Sequence, residues 1–155
     1  MDVKWVLAAA VCLAGCGSAP PLIAPGLPTA ERLLTTPGWQ EAGEGPGCEQ
    51  RSQSSDAGPV LAMYVDRRLA RLDVIEPGVD TDAGIGVNDP VSAVLKAYGA
   101  AVVVTPHKYT YESGGQYLSV PGTEGKRLVF ETDGTKVTRY RIGRMPEVEW
   151  VEGCA

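Results

Sequence analysis

The chain has 155 residues, of which 44% are apolar and 21% are charged, and these values are typical of one ordinary globular domain. Its formal net charge is −5. This charge argues against nucleic acid as a partner, because phosphate binding needs a basic face.

The N-terminal segment has the pattern of an export signal. A short polar start contains Lys4, and an apolar run of nine residues follows from Trp5 to Leu13. A membrane-spanning helix needs about 20 apolar residues, so this run is too short to remain in a bilayer as a helix. The segment is therefore predicted to direct secretion.

The end of the apolar run, Leu13-Ala14-Gly15-Cys16, resembles the lipobox of bacterial lipoproteins. The resemblance implies that residues 1–15 are removed as a signal peptide and that the Cys16 thiol carries a diacylglyceryl group. Two acyl chains are enough for stable anchoring to a membrane. The alternative is an ordinary cleaved signal in which Cys16 is incidental.

The residues after Cys16 indicate where such an anchor would hold the protein. An aspartate directly after the lipidated cysteine would favour retention in the inner membrane. This chain has Gly17 and Ser18 there, and in this it resembles lipoproteins that are sorted to the outer membrane. We expect the protein in the cell envelope, on the periplasmic side of an outer membrane or on the outer face of the plasma membrane.

Residues 16–47 are predicted to form a tether rich in proline and glycine, which is extended and folds poorly. Within it, Thr29–Leu34 is expected to form one or two helical turns, with Thr29 as the cap and Leu33 and Leu34 facing a core. The polar segment 49–58 is predicted to be a loop.

The cysteines predict one disulfide. Cys12 leaves with the signal peptide and Cys16 takes the lipid, so Cys48 and Cys154 are the two thiols of the mature domain. A pair of cysteines in an exported protein is typical of a structural bridge. A redox pair is the alternative, but such pairs usually have the C-x-x-C spacing, which Cys48 and Cys154 lack.

Residues 48–155 are predicted to form one small α+β domain, in which an antiparallel sheet carries one or two short helices on one face. A helix of about ten residues should start at Asn88 or Asp89, with Pro90 in its first turn, and should end at Gly99. Asp133-Gly134 is predicted to be a hairpin turn, and a second hairpin is predicted around Asp66-Arg67-Arg68. The predicted strands are Val60–Val65, Leu69–Ile75, Val102–Thr105, Tyr117–Val120, Arg127–Thr132, Lys136–Ile142 and Glu147–Val151.

Three segments carry a resemblance to known envelope proteins. The glycine-rich lead and helix of Gly84–Gly99 are similar to an element of small lipoproteins of the BamE/SmpA type and of β-lactamase-inhibitor-like domains. The segments Phe130–Gly134 and Val151–Cys154 resemble the closing hairpin and C-terminal end of a group of bacterial lipoproteins. A version with two repeats would carry a second such element before Cys48, and Thr29–Gly38 is at best a reduced form of it.

The sequence contains no recognisable catalytic constellation. His107 is the single histidine, and Pro106 before it predicts an edge or loop position with the ring facing solvent. A small hydrolase would need His107 within about 3 Å of a nucleophile such as Ser113 or Ser119. Glu147, Glu149 and Glu152 alternate with apolar residues, which predicts an exposed strand face. We expect no metal and no cofactor.

The first hypothesis is a non-enzymatic envelope lipoprotein that binds a protein partner or supports envelope assembly. The second is a secreted inhibitor, as the β-lactamase-inhibitor-like resemblance implies, although a lipid anchor at Cys16 counts against a released protein. The third is the small hydrolase that uses His107.

Overall fold

The computed structural model describes residues 29–40 and 43–155. The predicted signal peptide, Cys16 and the tether as far as residue 28 lie outside the described residues. No helix within the described residues is long and apolar enough to cross a membrane.

The described chain folds around a seven-stranded antiparallel sheet with a few short helices. The strands pair in the order β1-β2-β3-β7-β6-β5-β4, so that two meanders meet where β3 pairs with β7. The strands are β1 (Cys48–Ser55), β2 (Gly58–Val65), β3 (Arg68–Val74), β4 (Val103–Pro106), β5 (Gln116–Pro121), β6 (Lys126–Thr132) and β7 (Val137–Arg144). The α-helices are α1 (Ala30–Thr35), α2 (Pro37–Gln40) and α3 (Val91–Tyr98), and short 3-10 turns cover Gly99–Ala101, Tyr111–Ser113 and Glu147–Glu149.

The two hairpins predicted from the sequence are confirmed. Strands β2 and β3 are joined through Asp66 and Arg67, whose φ angles of 50° and 69° are those of the tight two-residue turns that match strand twist. Strands β6 and β7 are joined at Asp133-Gly134, and the Asp133 carboxylate accepts the backbone N–H groups of Thr135 at 2.8 Å and Lys136 at 2.9 Å. The conformation of each turn is therefore determined by its own residues and their immediate neighbours in the chain.

One face of the sheet is apolar and packs against the helices. Tyr140, Phe130 and Leu72 are fully buried there, on three neighbouring strands. Alternate residues of a strand point to the same face, so each strand contributes every second side chain to this core. The apolar patterning of β2, β3, β6 and β7 in the sequence therefore has a direct physical cause.

Helix α1 forms as predicted and belongs to this core. The Thr29 hydroxyl accepts the backbone N–H of Arg32 at 3.4 Å, which caps the helix. Ala30, Leu33 and Leu34 are buried against the sheet. The packed unit described here therefore includes residues that precede Cys48.

Helix α3 is confirmed over Val91–Tyr98, but its cap differs from the prediction. Pro90 is the N-cap residue and has no capping side chain, while the Asp89 carboxylate accepts the backbone N–H of Gly86 at 2.8 Å. Val94 is fully buried, whereas Leu95 is 43% exposed. The buried face of the helix is therefore narrow.

Two predictions were wrong at polar or mixed segments. Residues 49–55 were predicted to be a loop and instead belong to β1, an edge strand. An edge strand has neighbours on one side alone, so polar side chains are tolerated there and the sequence lacks apolar alternation. The predicted strand Glu147–Val151 is a 3-10 turn over Glu147–Glu149, because this segment folds across the second face of the sheet and does not pair with it.

Candidate functional site

We call residues 147–155 the C-terminal segment. The second face of the sheet carries a cluster of buried charges beneath it. Its members are 2–7% exposed, and they are Arg71, Asp73, Glu131, Arg141 and Glu147. Charged side chains are rarely buried to this extent unless they are paired. The partners of these five side chains therefore decide what the cluster does.

Two arginines of this cluster hold the C-terminal segment. The Nε atom of Arg71 donates to Asp73 at 2.8 Å, and its Nη1 atom donates to the carbonyl oxygen of Glu147 at 3.1 Å and to that of Trp150. Arg141 donates to the carbonyl oxygen of Val148 at 2.6 Å and also pairs with Glu131. These guanidinium groups stabilise a turn that has no strand partner.

Gly143 makes room for this arrangement on β7. A Cβ atom at this position would lie 2.4 Å from the Arg71 Cβ atom and 2.4 Å from the carbonyl oxygen of Ala70. A side chain would therefore displace Arg71 from the strand opposite. The glycine is explained by close approach between two paired strands.

The predicted disulfide is present. Cys48 and Cys154 are joined with their Cα atoms 5.4 Å apart and with a sequence separation of 106 residues. The bridge fastens the end of the C-terminal segment to the edge strand β1. The same segment is thus held by a covalent bond at one end and by Arg71 and Arg141 along its length.

The ring of His107 does not face solvent, and that prediction was wrong. Its side chain is 11% exposed, and it stacks on Tyr117 with ring centroids 4.5 Å apart. Its Nδ1 atom accepts the backbone N–H groups of Tyr109 at 3.1 Å and Thr110 at 3.2 Å. Its Nε2 atom lies 3.3 Å from Glu131. The loop after Pro106 turns back over the sheet, and this brings the ring beneath it.

This hydrogen-bond network assigns the neutral ring a proton on Nε2, because Nδ1 must be an acceptor. Neither nitrogen of His107 then has a lone pair directed at a substrate. The Ser113 hydroxyl donates to the carbonyl oxygen of Thr110 at 3.1 Å. Within residues 29–40 and 43–155, no hydrogen bond joins His107 to Ser113 or to Ser119.

The three glutamates do not share one exposed strand face. Glu147 is 7% exposed and accepts two hydrogen bonds from Arg144, at 3.0 and 2.8 Å. Glu149 pairs with Arg127, and Glu152 pairs with Lys108 at 2.7 Å. They hold the C-terminal segment at separate places, so they do not form a pair of carboxylates for acid–base chemistry.

Strand β4 is an edge of the sheet with exposed apolar side chains, Val103 at 54% and Val104 at 47%. The backbone N–H of His107 bonds to the carbonyl oxygen of Gly115 at 3.0 Å. Because hydrogen bonds alternate along an antiparallel ladder, the backbone groups of Val104 and Pro106 then point away from β5, toward the open edge. Because proline has no N–H, this edge offers an incoming strand few hydrogen bonds.

A cavity of about 610 Å³ opens on the helix side of the sheet. Three cations line it, Arg68 at the start of β3, Lys126 at the start of β6 and Arg144 at the end of β7. We call this space the basic cavity. Its remaining walls are Leu34, Thr35, Gln40, Leu69, Ala70 and Glu124.

A second cavity of about 350 Å³ adjoins the basic cavity, and Leu34, Thr35 and Lys126 line both. We call this space the apolar cavity. Its walls include Tyr98, Val120, Pro121, Leu128 and Ile142, while Glu31, Asp82 and Arg127 also border it. Burial raises the pKa of Tyr98 to about 12, so its hydroxyl is neutral at physiological pH.

These two cavities were missed by the sequence analysis. Arg68 and Lys126 are 58 positions apart, and no motif spans them. One signal was available, because antiparallel pairing places the first residue of β6 opposite the last residue of β7. The register confirms this, with Lys126 paired to Arg144.

Among residues 29–40 and 43–155, no three histidine, cysteine, aspartate or glutamate side chains are grouped so that they could hold a metal ion. No model of a protein family matches this chain, and none of the curated proteins or solved structures compared with it matches either.

Proposed function

We propose that this chain is a lipid-anchored, non-enzymatic binding protein of the bacterial envelope that docks a protein partner. One contrast within the described residues carries the proposal. The chemically active side chain His107 is committed to internal hydrogen bonds, whereas the basic cavity and the apolar cavity are open spaces lined by charged and apolar groups. Apolar spaces next to a few convergent charged groups, as the two cavities together provide, are typical of binding sites.

The non-enzymatic part of the proposal is supported by the surroundings of His107. General base catalysis needs a nitrogen lone pair within hydrogen-bond reach of the proton to be removed. Here the Nδ1 lone pair accepts two backbone N–H groups, and Nε2 faces Glu131. Catalysis by this ring would require the 107–110 turn to open first.

The anchored part is supported by Leu13–Cys16 directly after the apolar run. Twelve residues separate Cys16 from Thr29. In an extended proline-rich conformation of about 3.1 Å per residue, they would span roughly 40 Å. A domain on such a tether reaches other envelope proteins near the same membrane. The resemblance of Gly84–Gly99 to envelope lipoproteins supports an α+β domain with this role.

The anchor is tested by replacing Cys16 with serine. Cells expressing wild type or Cys16→Ser are fractionated, and we expect the variant to leave the membrane fraction because the thiol that accepts the lipid is absent. Equal membrane recovery of the two forms would overturn the lipid anchor.

Docking is tested by photocrosslinking in intact cells. A crosslinking amino acid is placed at Thr35, which borders both cavities, or at Ser54, which is exposed on β1 as a control. We expect a discrete crosslinked protein from position 35 and none from position 54. Identical crosslinking patterns at the two positions, or no adduct at either, would count against docking at the cavities.

A further inference from the structure

The partner's chemistry can be read from the two cavities. We propose that they bind an acidic segment of a protein, with a carboxylate in the basic cavity and the neighbouring apolar side chain in the apolar cavity. This inference rests on the proposed function, since it names the kind of segment that the same site accepts.

The basic cavity has more hydrogen-bond donors than its own acids use. Arg68 forms no ion pair with any residue in the described part of the chain. Arg144 uses Nε and Nη2 on one oxygen of Glu147, which leaves Nη1 available. A guanidinium group with free N–H donors matches the geometry of a carboxylate.

Lys126 is the third donor of the basic cavity. It pairs with Glu124 at 3.2 Å, but the Glu124 side chain is 78% exposed. Exposed ion pairs of this kind contribute little, so an incoming carboxylate competes easily for the ammonium group. A cluster of three cations also stands out in a chain whose net charge is −5. Charge complementarity therefore favours an anion.

The apolar cavity determines what must accompany the carboxylate. Its lining includes the buried residues Leu128, Ile142 and Val120, and Lys126 and Arg127 are the only cations among the described residues that border it. Glu31 and Asp82 lie at its border. A second carboxylate would meet these acids, whereas an apolar side chain would be accepted. This repulsive element gives the site a preference for acidic–apolar pairs.

The same acids and the overall charge argue for a peptide segment as the occupant in preference to a membrane surface. Anionic lipid headgroups attract basic segments. Glu31, Asp82 and Glu124 beside the cavities would instead be repelled by a layer of negative headgroups. A single carboxylate that enters the basic cavity avoids this repulsion.

The test uses the lipidated protein in neutral detergent and fluorescent octapeptides measured by anisotropy. The reference peptide is GSGSDLGS with a blocked C-terminus. In GSGSNLGS the carboxylate is replaced, and in GSGSDSGS the apolar side chain is replaced. A fourth peptide, GSGSGSGL, is used with a free or an amidated C-terminus to distinguish a side-chain carboxylate from a terminal one.

We expect GSGSDLGS to bind, and GSGSNLGS to bind about tenfold more weakly. Binding of free-ended GSGSGSGL without binding of GSGSDLGS would overturn the assignment to an acidic side chain. Arg68→Gln should weaken the interaction by a similar factor. Arg139→Gln is the control, because Arg139 is 55% exposed on the opposite face. Lys126→Gln provides a second variant at the cavity, so the conclusion does not depend on the folding of one protein.

Equal binding of the charged and neutral peptides would overturn the proposal, as would equal binding of the Leu and Ser peptides. Binding to phosphatidylglycerol vesicles that is lost in Arg68→Gln, without peptide binding, would instead assign the site to a membrane. If the Thr35 crosslink persists while the peptides fail, the docking function stands and the acidic-segment inference is wrong.

Discussion

The buried charges on the second face predict a large effect of one substitution. Arg71→Met keeps much of the side-chain volume and removes the guanidinium group. Asp73, which is 5% exposed, then loses its ion pair at 2.8 Å, and the carbonyl oxygens of Glu147 and Trp150 lose a donor. Breaking a buried pair from one side costs about 3–5 kcal/mol.

A loss of this size is a large part of the net stability of a small domain, which is typically about 5–15 kcal/mol. Urea unfolding measures it directly. With a slope of about 2 kcal/mol per molar urea, a loss of about 4 kcal/mol lowers the midpoint by about 2 M. Arg139→Met, on the same sheet face but exposed, should lose less than about 1 kcal/mol.

A second substitution distinguishes the cost of the unpaired Asp73 carboxylate from the cost of the packing lost at Arg71. In Arg71→Met with Asp73→Leu, the carboxylate that had lost its partner is also removed, and most of the lost stability should return. If the single variant loses less than about 1 kcal/mol, or the double variant is no more stable than the single one, the reasoning about this pair is refuted.

The stability of the single variant Arg71→Met should depend on pH, because Asp73 is still present in it. Burial raises the pKa of Asp73 above its usual value, and the Arg71 charge opposes that rise. In Arg71→Met the opposing charge is gone, so the pKa rises further. A raised folded-state pKa favours the folded state below the unfolded pKa, and this contribution is lost as pH rises through the folded pKa. The defect of Arg71→Met should therefore be smaller near pH 4 than near pH 7.

Replacing Cys48 and Cys154 by alanine opens a loop with a sequence separation of 106 residues. The chain-entropy model predicts that the free energy of unfolding, measured with denaturant, falls by about 5 kcal/mol. A variant as stable as the wild type would contradict a structural bridge. His107→Ala removes the acceptor of two backbone N–H groups, so thermal unfolding should show a loss of about 1–3 kcal/mol, and an unchanged melting temperature would be the contrary result. The Thr135 hydroxyl is the main cause that lowers the pKa of Asp133 to about 2, so the Asp133 carboxylate stabilises the fold above its unfolded pKa, and this contribution is lost as pH falls through about 2. Asp133→Ala should therefore be destabilised at pH 6 and much less so at pH 2. An equal loss of stability at both pH values would contradict this.

The hairpins and helices were predictable because their signals are local. Asp133-Gly134 fixes a turn within its own few residues, and Thr29 caps α1 three residues before Arg32. The prediction failed for the polar strand β1 and for the Glu147–Glu149 turn. The conformation of each depends on what it packs against, which periodicity along the chain does not encode.

The same limit applies to the charged residues of the strands. Arg71 and Arg141 alternate with apolar neighbours, which is the pattern of side chains that point to solvent. The C-terminal segment covers them, held there by the disulfide and by the arginines themselves. The prediction that the His107 ring faces solvent failed for a related reason. Its burial depends on stacking with Tyr117 and on a turn that folds back over it.

The tight turns and helix α3 could be predicted from the sequence because they depend on residues close together in the chain, and the pairing of Cys48 with Cys154 was predicted from the cysteine count. The export signal and the lipid at Cys16 are also predictions of this local kind. Tertiary packing was needed to place Arg68, Lys126 and Arg144 around one cavity and to set Arg71 and Arg141 against the C-terminal segment. The physical reason is strand register, since hydrogen bonding between β6, β7 and β3 brings together side chains that are far apart along the chain.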